Sequence, residues 1–204
     1  MHHSDSATVT TVDTLAKLLD VCGELRASEQ VDERAVTGCS FDSRAVSAGD
    51  VFFCKGAAFK PAFLRMALDA GAVAFVCEES LVESLEPLAQ ESGAAMLVVD
   101  SVRTAMALLP PEVYDRPDHD VKIVGITGTK GKTTAAFMLQ SIIKAAGESC
   151  GMIGSVSTDD GIECYESTNT TPEAPEVWRH IANCRTSGRQ SMVMEVSSQA
   201  LKYQ

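Results

Sequence analysis

No stretch of this 204-residue chain approaches the roughly 20 consecutive apolar residues that a membrane-crossing helix needs, which argues against membrane insertion. Met1-His2-His3-Ser4 and the threonines after it lack the apolar segment of a secretion signal, so a cytoplasmic protein is expected. Cysteine occurs seven times, an odd number with no Cys-x-x-Cys pair. That pattern fits reduced thiols rather than a disulfide framework or a zinc site. Positive charge is scarce: 17 Lys and Arg against 28 Asp and Glu leave a formal net charge of −11. The chain therefore lacks the basic face that general nucleic-acid binding requires. The four histidines, His2, His3, His119 and His180, fall at no metal-ligand or catalytic spacing and are expected at the surface. There is no internal repeat and no low-complexity tract. What remains is an acidic globular chain of one or two domains, with 45% hydrophobic residues from which to build a core. Its charge does not exclude anionic small ligands, because backbone N–H groups and a helix N-terminus hold phosphate locally.

Proline and charge gather in Pro110-Pro111-Glu112-Val113-Tyr114-Asp115-Arg116-Pro117-Asp118-His119-Asp120, which reads as a linker and puts a domain boundary near residue 118. Before it, residues 12–21, 62–70 and 102–109 have helical patterning, and 36–41, 51–54, 73–77 and 95–99 read as strands. The alternation implies a small α/β domain over residues 1–118. After it, 122–126 reads as a strand. A helix is expected over 133–146, with Ala136, Leu139, Gln140, Ile143 and Ala146 along or beside one face and Gly147 as its stop. A short strand at 150–153, a polar stretch at 155–171, a helix beginning after Pro172 and a strand at 191–196 follow. This order points to a parallel sheet with right-handed crossovers. Residues 119–204 are expected to be the first part of a P-loop-type domain, which normally needs more strands than these.

The richest segment is Val121 to Thr134, VKIVGITGTKGKTT: an apolar strand, a glycine loop and Gly-Lys-Thr at a helix start. In such a loop glycines turn backbone N–H groups toward phosphate oxygens, the lysine neutralises the terminal phosphates and the next hydroxyl holds magnesium. Gly128, Gly131, Lys132 and Thr133 fill those roles. The usual spacing needs glycine at position 126, which is Ile126, so the loop is a variant with glycines at 125, 128 and 131. Lys130 either adds a cation or is a solvated surface lysine. Glu195 ends an apolar strand, where it is either a magnesium ligand or a carboxylate emerging into solvent. Thr168-Asn169-Thr170-Thr171 before Pro172 suits helix capping, and Asp42-Ser43-Arg44 suits an ordinary turn.

Taken together, Phe41-Asp42-Ser43-Arg44, Thr127-Gly128-Thr129-Lys130-Gly131-Lys132-Thr133-Thr134, Asn169-Thr170-Thr171-Pro172 and Glu195-Val196-Ser197-Ser198 occur in the order found in one family. The chain resembles the Mur ligases, and within them the MurE-type UDP-N-acetylmuramoyl-dipeptide ligases that add the third amino acid of the peptidoglycan stem peptide. The resemblance covers nearly everything from about residue 12 onward. It implies a small UDP-substrate-binding α/β domain followed by a truncated, parallel-sheet ATP-binding domain. The implied reaction is ATP-dependent amide formation through an acyl phosphate, with ATP and Mg2+ as cofactors.

By the same resemblance Gly128, Thr129, Lys130, Gly131, Lys132, Thr133 and Thr134 bind ATP. Lys132 contacts the β- and γ-phosphates, and Lys132 and Glu195 serve catalysis. Thr133 and Glu195 hold magnesium. Asn169, Thr170, Thr171 and Ser197 hold the sugar dipeptide, while Phe41 and Ser43, with Ala57, Ala58 and Phe59, hold the uridine diphosphate end. The implied partners are UDP-N-acetylmuramoyl-L-Ala-D-Glu and an amino acid, met by a monomer. Gln199 and Lys130 stand where many relatives have histidine and asparagine, and neither change removes a phosphate or magnesium contact. A carbamylated lysine, a further histidine and the amino-acid-binding domain are implied beyond residue 204, so the 204 residues are expected not to catalyse ligation alone. Alternatives are another Mur-type or P-loop ATP-dependent enzyme, against which Ile126 speaks, and a non-catalytic nucleotide-sugar-binding module.

Overall fold

The computed structural model describes residues 9–203; His2 and His3 lie outside the described residues. The chain divides into two compact units, Met1–Asp115 and Arg116–Gln204. In the first, α1 (Val12–Val21) is followed by β1 (Leu25–Glu29), β2 (Gly38–Ser40), β3 (Asp50–Phe53), α2 (Pro61–Asp69), β4 (Ala74–Glu78), α3 (Val82–Ser92), β5 (Ala95–Val99) and α4 (Val102–Val113). The strands form one sheet in the order β1-β5-β4-β3-β2, parallel from β2 to β5 with β1 antiparallel on the β5 edge.

Successive strand residues point to opposite faces, and the sheet is clothed on both. Val51, Phe53, Val76, Leu97 and Val99 pack with Leu15 and Leu19 of α1 and Leu109 of α4. Phe52, Phe75, Met96 and Val98 pack with Leu64 of α2 and Leu85 of α3. This explains why β3 and β5 read as continuous apolar runs.

Two elements escape the pattern. β1, LRASE, has four exposed residues out of five and is held by ladder bonds rather than by an apolar face. α3 carries Pro87 in its interior, a residue that normally argues against helix. The expected linker also starts too early: α4 runs through Pro110 and Pro111 to Val113. Neither ring can donate to the helical ladder, but both are buried, and the Tyr114 N–H closes the turn on the Pro110 carbonyl at 3.0 Å. Burial of the rings keeps in the helix what composition assigned to a linker.

The second unit contains β6 (Lys122–Ile126), α5 (Lys132–Ala145), β7 (Cys150–Ile153), β8 (Ser157–Asp159), β9 (Cys164–Glu166), α6 (Ala174–Thr186), β10 (Ser191–Glu195) and the short α7 (Ser198–Tyr203). Its sheet order is β6-β10-β7-β8-β9. β6, β10 and β7 are parallel, whereas β8 and β9 form an antiparallel extension inside the stretch expected to be merely polar. α5 covers one face through Ala136 with Cys150, Met152 and Val193. α6 covers the other through Val177, Ile181 and Cys184 with Ile153 and Met192. β6 is an edge strand in this unit, and Ile123 and Val124 are each 38% exposed.

All seven cysteines are free thiols. Burial pushes the Cys77 thiol up to about 12, with the nearby Glu79 and Glu78 carboxylates adding to the shift. Burial pushes Cys184 up to about 12 as well, so both stay protonated and unreactive at neutral pH. Among the described residues no helix is long and apolar enough to cross a membrane.

Candidate functional site

The glycine loop leaves β6 at Ile126 and enters α5 at Lys132. Two glycines hold left-handed backbone conformations, Gly128 at φ +147° and Gly131 at φ +82°, which side-chain-bearing residues rarely adopt. Gly125 has a different cause: a Cβ there would lie 3.2 Å from Val196 Cγ2, so it permits β6 and the end of β10 to approach. Gly131 is the N-cap of α5, and the loop thus ends on the free N–H groups and positive dipole end of a 14-residue helix. Lys132 Nζ donates to the Gly128 carbonyl at 3.0 Å, its stem folded back over the loop. Thr133 lies in the first turn of α5. Thr129, Lys130 and Thr134 are exposed beside it.

Glu195, at the carboxyl end of β10, is 1% exposed, and the alternative of a carboxylate emerging into solvent is thereby corrected. It stays buried because three donors meet it: the Thr133 hydroxyl on Oε2 at 2.9 Å, the Ser155 N–H on Oε1 at 2.8 Å and the Ser155 hydroxyl on Oε2 at 3.2 Å. Gly154 makes this approach possible, since a Cβ at that position would lie 2.6 Å from Glu195 Oε1. The donor set fits magnesium. A hydroxyl and a carboxylate oxygen, both hard, converge next to the N-terminus of α5.

The second polar segment meets the same strand end. The Thr171 hydroxyl donates to the Glu195 carbonyl at 2.8 Å and accepts the Ser197 N–H at 3.0 Å. Thr170 Oγ1 accepts from Ser155 Oγ at 3.0 Å. Asn169 is exposed. Capping of α6 falls instead to Glu173 and Glu176, which form a reciprocal capping box, so the threonines are released from that duty. Ser197 caps α7, its Oγ accepting the Ala200 N–H at 3.1 Å. Lys132, Thr133, Glu195, Thr170, Thr171 and Ser197 are therefore brought to one end of one sheet.

In the first unit a cavity of about 430 Å³ is lined by Phe41, Asp42, Ser43, Arg44, Phe52, Lys55, Ala58, Phe59, Phe63 and Met66. Four of the five residues expected to hold the uridine diphosphate end line it; Ala57 is exposed in the adjoining turn and is not among the lining residues. Arg44 is tied to Asp42 by side-chain bonds of 2.6–3.2 Å. Hydrogen bonds from Arg44 hold the Asp42 carboxyl below its ordinary value, so their charges offset one another. Lys55 Nζ lies 4.8 Å from the centroid of the Phe41 ring, within cation–π range.

Sequence reasoning missed Lys55, Ser155 and Gly154. The signal for the last two was their place just after β7, in the crevice beyond the carboxyl ends of parallel strands. It also misassigned His180, expected at the surface but fully buried. His180 Nδ1 meets Asp160 Oδ2 at 2.6 Å and Nε2 meets the Tyr165 hydroxyl at 3.0 Å. This chain of bonds fastens the β8–β9 extension to α6, and its partners were invisible because that extension was not foreseen.

Residues 126–204 match the Mur ligase middle domain. A UDP-N-acetylmuramyl-tripeptide synthetase of Lactobacillus delbrueckii subsp. bulgaricus is 40% identical over 167 residues, taking in 80% of this chain and 31% of the relative. Among solved structures, a UDP-N-acetylmuramoyl-L-alanyl-D-glutamate--2,6-diaminopimelate ligase superposes with a TM-score of 0.70 at 19% identity, over 96% of this chain and 37% of that one. A MurF ligase from Thermotoga maritima in complex with ADP gives 0.52 at 23% identity, over 80% and 32%. Both superpositions speak to the fold. This chain spans 31% of the length of the Lactobacillus relative. With the variant glycine loop, the buried strand-end glutamate and the threonine pair assembled as described, residues 126–204 of this chain belong to the Mur ligase middle-domain family.

Proposed function

We propose that the chain is the UDP-substrate- and ATP-binding part of a cytoplasmic, monomeric ligase that adds the third amino acid to UDP-N-acetylmuramoyl-L-Ala-D-Glu in peptidoglycan precursor synthesis. The observation that carries this reading is the bond from Thr133 in the phosphate loop to buried Glu195, with Thr171 hydrogen-bonded to the main chain of the same glutamate. Residues 1–118 are assigned the UDP-substrate domain and 119–204 the first part of the central ATP-binding domain.

In this reaction the D-glutamyl carboxylate attacks the γ-phosphorus of ATP, ADP leaves, and the amine of the incoming amino acid displaces phosphate from the acyl phosphate. Such transfer needs charge neutralisation and in-line alignment more than covalent help from the protein. The loop N–H groups of Gly128 to Thr134 and the α5 terminus cradle the phosphates. Lys132 exchanges the Gly128 carbonyl for β- and γ-phosphate oxygens. Thr133 and Glu195 hold Mg2+, which when bound neutralises charge on the phosphates. Asn169, Thr170, Thr171 and Ser197 orient the sugar dipeptide so that its carboxylate lies in line. Phe41, Ser43, Ala57, Ala58 and Phe59 take the uridine diphosphate end, the aromatic rings offering a stacking surface.

Calorimetry with Mg·ATP and, separately, with UDP-N-acetylmuramoyl-L-Ala-D-Glu tests the reading. Both ligands are expected to bind, and Lys132→Ala is expected to lose ATP alone. Sugar-nucleotide binding without any ATP binding supports a second reading, a nucleotide-sugar-binding module built on the first-unit cavity.

A further inference from the structure

We infer that Ser155 couples the nucleotide–magnesium site to Thr170, one of the residues assigned to the sugar dipeptide. The inference rests on the proposed function and assigns to Ser155 a positioning role that acts through Glu195 and Thr170. Ser155 Oγ lies 3.2 Å from Glu195 Oε2 and 3.0 Å from Thr170 Oγ1, donating toward each. A hydroxyl has one proton, so it serves one acceptor well at a time. Its choice depends on what else loads the two acceptors.

Glu195 Oε2 also takes the Thr133 hydroxyl at 2.9 Å. When that oxygen is drawn onto a cation, its electron density is withdrawn and it becomes a poorer acceptor for Ser155. The Ser155 proton then turns to Thr170 Oγ1. Thr170, accepting from Ser155, keeps its own proton for an anionic ligand group, and chains of this kind strengthen one another. In the reverse direction, a ligand anion that accepts from Thr170 makes Thr170 Oγ1 the better acceptor, draws Ser155 from Glu195 and clears Oε2 for the cation. Such coupling is reciprocal by thermodynamic linkage.

Two neighbouring contacts keep the device from collapsing as the proton moves. The Ser155 N–H bond to Glu195 Oε1 at 2.8 Å does not depend on the hydroxyl, and it holds the carboxylate in place. Thr171 is committed elsewhere, to the Glu195 carbonyl and the Ser197 N–H, so the relay runs through Thr170. Because one neutral hydrogen bond is redistributed, the expected coupling is about three- to tenfold in affinity.

The test measures the affinity of this chain for a magnesium complex of a non-hydrolysable ATP analogue by calorimetry, with and without saturating UDP-N-acetylmuramoyl-L-Ala-D-Glu. The unaltered chain is expected to bind the nucleotide about three- to tenfold more tightly in the presence of the sugar dipeptide. Ser155→Ala is expected to bind both ligands without coupling, and Ser155→Thr, which keeps a hydroxyl, to retain it. Should Ser155→Ala unfold, Ser155→Cys, whose thiol is a weak donor, replaces it with the same expected loss. Undiminished coupling in the hydroxyl-free variant, or independent binding of both ligands by the unaltered chain, overturns the inference and leaves the proposed function standing. Failure of the unaltered chain to bind either ligand overturns both.

Discussion

Thr133 in the first turn of α5 donates its hydroxyl to Glu195 Oε2 at the end of β10, 2.9 Å away and 62 residues on in sequence. Parallel pairing of β6 with β10, which sets Ile126 opposite Glu195, brings the glycine loop and the carboxylate to the same sheet end. The hydroxyl and the carboxylate are thereby held against one another by the fold itself, in the arrangement that the proposed magnesium site requires.

Glu195→Gln keeps the size of the side chain but removes its charge. Nucleotide affinity in the presence of magnesium is expected to fall about ten- to hundredfold, the scale of a charge-assisted interaction. Binding should also become insensitive to chelator. Titrations with and without EDTA check this, and a variant that retains the full magnesium dependence removes Glu195 from the metal site.

Gly154→Ala places a methyl group against the same carboxylate, 2.6 Å from Oε1 before relaxation. Overpacking of this kind costs about 1–3 kcal/mol, measurable by urea unfolding. A shift of the carboxylate should also weaken magnesium-dependent nucleotide binding. Unchanged stability and binding would mean that β7 and β10 adjust more freely than their packing indicates.

Lys55→Met retains the aliphatic stem beside Phe41 and removes the ammonium from the first-unit cavity. Uridine diphosphate affinity is expected to drop about tenfold, as for one lost charge-assisted contact, while uridine affinity stays unchanged. Equal losses for the two ligands point to damaged packing rather than to a phosphate contact.

Asp160 gives a pH prediction. Burial raises its pKa, but hydrogen bonds from the Glu163 N–H, His180, Asn183 and the Ile162 N–H outweigh that and hold it below the ordinary 3.8. A carboxyl with a depressed folded pKa contributes stability that is present above the unfolded value and lost as pH falls through the folded one. The contribution of Asp160 should therefore be complete at neutral pH and decline below about pH 4. Asp160→Asn is expected to cost about 1–3 kcal/mol at pH 7, because an amide cannot accept all the donors that meet the buried carboxylate and leaves one unmatched, and to flatten the acid limb of the stability curve. Urea unfolding at a series of pH values reads both effects.

Elements with strong periodicity or continuous apolar runs were legible in the sequence: α1, β3, β5, β6 and β10 fall close to where the pattern puts them. β1 and α3 were not, the first for want of apolar residues and the second because of Pro87. The β8–β9 extension was equally hidden, its short strands exposed or half-buried apart from Thr158. The glycine loop was readable because its signal is local, a few glycines and a lysine in a row. Ser155 and Lys55 were not, because a single serine or lysine carries no signal until the fold gives it a neighbour.

The sequence by itself determined the α/β class, the glycine loop that leads into α5 and, through four ordered motifs, the resemblance to the Mur ligases. These follow from short-range facts: the periodicity of apolar side chains, the backbone freedom of glycine, the position of Gly-Lys-Thr before a helix. Only the tertiary structure decided that Glu195 is buried rather than solvated, that Thr171 braces β10 instead of capping α6, and that His180 lies inside against Asp160. Each outcome depends on which donors long-range strand pairing delivers to a polar group. A buried carboxylate or imidazole is tolerable only once those partners are in place.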